Sequence, residues 1–244
     1  MGDAPAVSFA PSEELDLIRS TARQFLEQRV PMERVRELMM SDSGFDDGLW
    51  KEMAGMGWTG LAISEEHGGS GLGHVEMAVL LEEMGTMVTP GPFFASAVVA
   101  TSAIQECATA EQCAALLPAL ASGETIATLA VFEEARRWTP ERPSTTATSD
   151  DGGWVIDGSK RAVLAGERAD LLLVTAATEE GVGLFVVDPS SEGVVVTGEP
   201  ALDPTRRQAA VTLESVRVPE PGRLGGGDLT SALRRVLALA TTAL

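Results

Sequence analysis

The spacing of apolar residues changes once along this 244-residue chain, near Glu124, and that change sets what each part can fold into. Before it, apolar side chains recur at three- and four-residue intervals, the period that lays one stripe of a helix against a core. After it they alternate, or cluster in short β-branched runs separated by Gly and Asp, the pattern of strands joined by tight turns. The expected fold class is α+β: an all-α helical amino-terminal domain followed by a small antiparallel β-barrel domain.

The first helical stripe is Leu15, Ile18, Ala22, Phe25 and Leu26, with Ser12 as N-cap and an end near Pro31. A second helix is predicted over 32–40 and a turn over 41–44, after which Asp46 or Asp47 caps a short helix through Trp50 and Met53. Residues 60–73 read as a loop before a helix through Val75, Val79, Leu80 and Met84; further helices are expected over 94–107 and 110–120. Strands are expected at 126–131, 154–156, 171–174, 184–187, 194–197 and 209–213, with turns at 150–153 and at Asp157-Gly158. A final helical stretch, 230–244, carries Leu233, Val236, Leu237 and Ala240 on one stripe, and nothing before it is assigned to cover that stripe.

Charge excludes several partners. With 36 acidic against 18 basic residues the chain carries −18, a field that repels phosphate backbones and anionic lipid, so neither nucleic acid nor membrane is expected as a partner. An anionic ligand would have to meet local cations: Arg136, Arg137, Lys160, Arg161, Arg206 and Arg207 are the candidates, and each also reads as a solvated surface group. No apolar run approaches the roughly 18 residues that cross a bilayer, and no basic segment opens the chain, so a cytoplasmic location is expected. Cys107 and Cys113 are expected as buried, reduced thiols. His67 and His74, the two histidines, lack ligands at metal spacing, so no metal is expected. No G-x-S-x-G nucleophile elbow exists, and the glycines of 68–73 fit G-x-G-x-x-G in no register, so that run reads as an interhelical bend.

Three stretches together carry a resemblance: Leu49-Trp50 through Gly57-Trp58-Thr59-Gly60-Leu61 with Glu65-Glu66-His67-Gly68-Gly69; Leu81-Glu82-Glu83-Met84-Gly85; and Val216-Arg217-Val218-Pro219 with Arg223-Leu224-Gly225. In order and spacing they resemble the acyl-CoA dehydrogenase family. The resemblance implies a helical domain over 1–123, a β-barrel domain over 124–222, and from 223 to 244 the first helix of a carboxy-terminal four-helix bundle that otherwise lies outside the chain. It further implies FAD as cofactor and α,β-desaturation of an acyl-CoA thioester, by proton abstraction to a glutamate and hydride transfer to flavin N5. That glutamate belongs to the bundle, so no catalytic residue is expected within 1–244.

The family's flavin loop reads roughly T-E-P-x-A-G-S-D, where this chain has Phe132 to Trp138 as Phe-Glu-Glu-Ala-Arg-Arg-Trp. The implied flavin-facing positions are Val131, Phe132, Glu133, Arg137 and Trp138, with Ala162 and Leu164 from a second segment that normally carries an aromatic ring and a hydroxyl. Here both are missing, and Trp138 offers a substitute aromatic platform. The implied acyl pocket is Glu82, Phe93 and Phe94. Implied partners are the acyl-CoA substrate, an electron-transfer flavoprotein or similar acceptor, and another acyl-CoA dehydrogenase subunit in a homo- or hetero-oligomer. Three functions stay open: a working dehydrogenase, a half-site partner subunit with a degenerate flavin site, and an acyl-binding or structural remnant.

Overall fold

The computed structural model describes residues 12–134, 142–225 and 228–243. Helix α1 (Glu13–Arg29) begins where the Ser12 hydroxyl accepts the Leu15 N–H at 3.2 Å, and Glu13, Glu14 and Asp16 face the positive end of its dipole. Pro31 separates it from α2 (Met32–Met40). Asp46 rather than Asp47 caps α3 (Asp47–Gly55), its carboxylate accepting the N–H groups of Gly48 and Leu49. The glycine run folds back as the bend the sequence indicates: Ser70 N–H bonds Gly60 O and Gly71 N–H bonds Ile63 O. A Cβ on Gly69 would lie 2.1 Å from the Ile63 carbonyl, so only glycine fits there. Helix α4 (His74–Thr86) then packs along α1.

The expected helix over 94–107 is two conformations in series, a π-helix (Phe94–Ala100) and then α5 (Thr101–Cys107). The Thr101 hydroxyl donates to the Ser96 carbonyl, five residues back, at 2.9 Å, which suits the wider turn. Helix α6 (Ala110–Ala121) starts with a Thr109/Gln112 capping box. Cys107 and Cys113 therefore sit on separate helices; both are free, Cys107 is buried, and Cys113 is only half-buried, contrary to expectation. Burial pushes the Cys107 thiol up to about 11.

The second part is one eight-stranded sheet of β1 (Ala127–Ala130), β2 (Thr146–Asp150), β3 (Gly153–Leu164), β4 (Leu171–Thr178), β5 (Gly181–Val187), β6 (Val194–Glu199), β7 (Gln208–Pro219) and β8 (Arg223–Leu224). Its order is β6-β7-β3-β2-β4-β5-β8, with β1 also on β4. Two expectations are corrected. The barrel does not close: β6 and β8 end the path with no ladder joining them among the described residues. Pairing is mostly antiparallel, but β1 runs parallel to β4, and β2 meets β4 in parallel at Thr146 and Ala177.

The expected turn at Asp157-Gly158 is instead a bulge inside β3, where it pairs β7. Gly158 has φ +149°, and a Cβ there would sit 2.7 Å from Thr145 Cα. The turn at 150–153 does join β2 to β3, with Gly152 at φ +86°.

One core unites helices and sheet: Ile63, Ala103, Ile104, Leu117, Leu129, Leu173 and Leu184 pack together, and α7 (Leu229–Thr242) closes over them. Its buried Leu229, Leu233, Val236 and Leu237 rest against α5, the π-helix and β5. The stripe expected to lack a cover is thus covered within the chain; burying Leu233, fully excluded from solvent, contributes roughly 1.5–3 kcal/mol. No helix among the described residues is long and apolar enough to cross a membrane.

Candidate functional site

Where the end of α4 and the start of the π-helix meet the end of β3 and the segment before β7, a cleft of about 210 Å³ opens between helices and sheet. Leu81, Met84, Phe93 and Phe94 form its helical wall, while Leu164, Ala165 and the segment Thr205-Arg206-Arg207 form the other. The backbone is strained on both sides. Val88 and Ala165, both in the lining, have φ +51° and +52°, and a β-branched residue in that region costs about 1–3 kcal/mol. The hydroxyl of Thr89, also in the lining, is buried with no hydrogen-bond partner.

Two arginines shape the sheet side. The Arg206 guanidinium sits 5.8 Å from the Phe94 ring centroid. Arg207 reaches back into the helices: it donates to Asp42 O at 2.6 Å, to Ser41 O, and to Met39 O. It crosses so close to Gly44, itself at φ +62°, that a Cβ there would lie 2.1 Å from Arg207 Nε.

Of the residues expected in an acyl pocket, Phe93 and Phe94 line this cleft and Glu82 does not. Glu82 points to water, its side chain 63% exposed, paired to Arg19 at 2.8 Å. Glu83 is the buried member, 2% exposed, and bonds Arg23 at 2.8 Å and Arg19 at 3.1 Å, fastening α4 to α1. The Arg23 hydrogen bond holds its carboxyl below the usual range against the opposing effect of burial, with Arg19 adding to the lowering. The helix phase carries the signal: Glu83 lies four residues after Val79 and three after Leu80, both buried.

The second expected segment forms a different kind of site. Lys160 is fully buried, its Nζ 2.7 Å from Glu133 Oε1 and 3.0 Å from Thr175 Oγ1. Glu133 also accepts the N–H groups of Ser144 (2.6 Å) and Thr145 (3.0 Å) and the Thr145 hydroxyl (2.8 Å). Desolvation pushes the Glu133 carboxyl up, but bonds from Lys160, Thr145 and Ser144 outweigh it and hold the group down at about 2. Burial lowers the Lys160 ammonium against the Glu133 bond that raises it; with four donors on the carboxylate, the pair is ionised. Lys160 is therefore an internal tie, not a cation awaiting a ligand. Nearby, Glu199 pairs with Arg161 at 2.5 Å and accepts the Ala162 N–H at 2.7 Å.

The family model described as "Acyl-CoA dehydrogenase, N-terminal domain" matches residues 12–124, and "Acyl-CoA dehydrogenase, middle domain" matches 128–216. The chain belongs to the acyl-CoA dehydrogenase family. Acyl-CoA dehydrogenase FadE27 of Mycobacterium tuberculosis is 30% identical over 213 residues, 86% of this chain and 55% of that protein. FadE12 of the same species is 29% identical over 197 residues, 75% of this chain and 50% of that one. Among solved structures, a variant of the Tcur3481-Tcur3483 steroid ACAD is 35% identical with a TM-score of 0.83, covering 95% of this chain and 61% of that one. The ChsE4-ChsE5 complex from Mycobacterium tuberculosis is 25% identical with a TM-score of 0.85, covering 97% and 64%. The chain spans about half the length of the curated acyl-CoA dehydrogenases it matches.

The positions that the acyl-CoA dehydrogenase pattern turns toward flavin do not, where described, fit its polar edge. Val131 is buried, and Val131, Phe132, Ala162 and Leu164 carry no side-chain donor. The Phe132 carbonyl accepts the Arg161 N–H at 2.8 Å, the Leu164 carbonyl accepts the Thr128 hydroxyl at 2.6 Å, and the Ala162 N–H is held by Glu199. Glu133 is filled by its own neighbours. Arg137 and Trp138 lie outside the described residues.

Proposed function

We propose that this chain is the acyl-binding subunit of a heteromeric acyl-CoA dehydrogenase, in which a second subunit of the same family completes the FAD site. The assembled enzyme removes the α-proton and β-hydride of an acyl thioester. The observation that carries this reading is that Val131, Phe132, Ala162 and Leu164 have no side-chain donor and that the Glu133 carboxylate is held by its own neighbours, so the described flavin-facing positions offer the flavin no side-chain donor. The similarity to two structures whose names pair two proteins, Tcur3481-Tcur3483 and ChsE4-ChsE5, supports it. In this reading 1–123 and 124–222 act as the helical and sheet domains, the cleft at Phe93, Phe94 and Leu164 takes the acyl group, and the base comes from a helical bundle outside residues 1–244.

A second reading is a self-sufficient FAD-dependent dehydrogenase that passes electrons to an electron-transfer flavoprotein or similar acceptor; the match of both domain models favours it. Visible absorbance separates the two. The protein purified alone is expected to be colourless and folded, turning yellow when co-purified with its partner chain. Retention of one FAD per chain by the protein alone sinks the heteromeric reading.

A further inference from the structure

The cleft holds a cation whose only interaction among the described residues is with an aromatic ring. Nine other arginines (Arg19, Arg23, Arg29, Arg34, Arg161, Arg168, Arg217, Arg223 and Arg235) pair with carboxylates. Arg206 pairs with none among the described residues; it lies over Phe94. Its neighbour Arg207 spends its donors on the carbonyls of Met39, Ser41 and Asp42 and pairs with no carboxylate among the described residues. The acid in the same wall, Asp203, turns Oδ1 onto the Thr205 N–H at 2.9 Å and the Thr205 hydroxyl at 2.6 Å. Among the described residues this lining therefore holds two cations against one acid, inside a chain of net charge −18.

The rest of the cavity points the same way. Its helical wall, from Leu81, Met84 and Phe93, is apolar and suits a hydrocarbon chain. The Thr89 hydroxyl, in that lining, is buried without a hydrogen-bond partner, a costly state that a ligand oxygen or nitrogen within its reach would relieve. A planar guanidinium over an aromatic face presents two parallel N–H groups in the fork that matches a carboxylate.

We infer that Arg206 is a specificity-determining residue that grips an anionic oxygen group of the ligand in this cleft, and that the acyl thioester taken here carries a second carboxylate on its acyl part. This rests on the acyl-binding reading above. The shared chemistry is an oxyanion, and CoA itself offers phosphate oxyanions as the other source.

Titration calorimetry with the protein and its Arg206→Gln and Arg206→Lys variants tests it, using octanoyl-CoA, the CoA monothioester of octanedioic acid, free CoA and free octanoate. The monothioester is expected to bind about tenfold tighter than octanoyl-CoA, the preference vanishing in Arg206→Gln and partly returning in Arg206→Lys. An equal loss for all three CoA probes in Arg206→Gln, sparing octanoate, retains the anion contact but assigns it to a CoA phosphate and overturns the acyl carboxylate. If CoA probes fail on the parent protein while octanoate binds through Arg206, the acyl-thioester reading falls and the anion site stands. Affinities that move less than about twofold in Arg206→Gln, or no binding by any probe, overturn the inference. Arg206 is exposed, so loss of folding does not confound the variants.

Discussion

Glu83 and Glu133 are both carboxylates turned away from water, yet they are held by different physics. Glu83 is 2% exposed but its partners Arg19 and Arg23 are 35% and 54% exposed, so the charge of the pair is shared with solvent. Glu133 is 15% exposed and its cation, Lys160, is at 0%. In the first case water takes over when a contact is lost; in the second it cannot reach the ammonium. One carboxylate fastens α4 to α1, and the other is a node that ties the residues just before β2 to β3 and, through Lys160, to β4.

The sharpest way to break that contrast is to remove the buried cation. Lys160→Met leaves Glu133 half-buried without its counter-ion and is expected to cost about 3–5 kcal/mol in urea unfolding, while Glu133→Leu combined with Lys160→Met recovers most of the loss. Full additivity of the two changes would contradict the idea of one coupled node.

Acid unfolding is the next probe. The Glu133 carboxyl falls from its ordinary 4.5 to about 2 in the folded chain, so its contribution is complete above pH 4.5 and is lost as pH drops toward 2. Glu133→Gln should flatten the fall in urea midpoint across that window; an unchanged slope would place the acid sensitivity elsewhere. The smallest effects belong to α4. Glu83→Gln is expected to cost about 1–2 kcal/mol, and Glu82→Gln less than about 0.5 kcal/mol with no change in ligand affinity. An affinity loss in Glu82→Gln would return that side chain to the cleft.

How far the sequence could be read follows from the same distinction between local and distant causes. Helix α2 and the cap at Ser12 are local events, and the spacing locates them, while for the third helix it leaves Asp46 and Asp47 as alternatives between which the structure chooses Asp46. The π-helix escapes because its apolar run is buried on every side and so carries no 3.6-residue signature. Strand β2, Thr-Ala-Thr-Ser-Asp, buries only Ala147, so it lacks the alternation that marks a strand. Lys160 reads as a surface cation in sequence because its partner is 27 residues away and no periodicity links them. The cleft is partly legible: Phe93 and Phe94, which the resemblance implies for an acyl pocket, line it together with Leu164, which it implies for the flavin, and with Arg206, one of the cations named for an anionic ligand, whereas Val88 and Thr89 enter through a backbone turn that spacing does not encode.

The clamp of Arg207 on the α2–α3 turn has one more consequence. Residue 206 hangs between strand β7, which starts at Gln208, and a side chain anchored in the helical layer, so its position depends on how tightly the two layers are drawn together. A molecule that grips it in this position favours the position, and a substitution at Gly44 that displaces the Arg207 side chain is expected to weaken the grip. Ligand contact at residue 206 and the fastening of sheet to helices by Arg207 are thus expected to depend on each other.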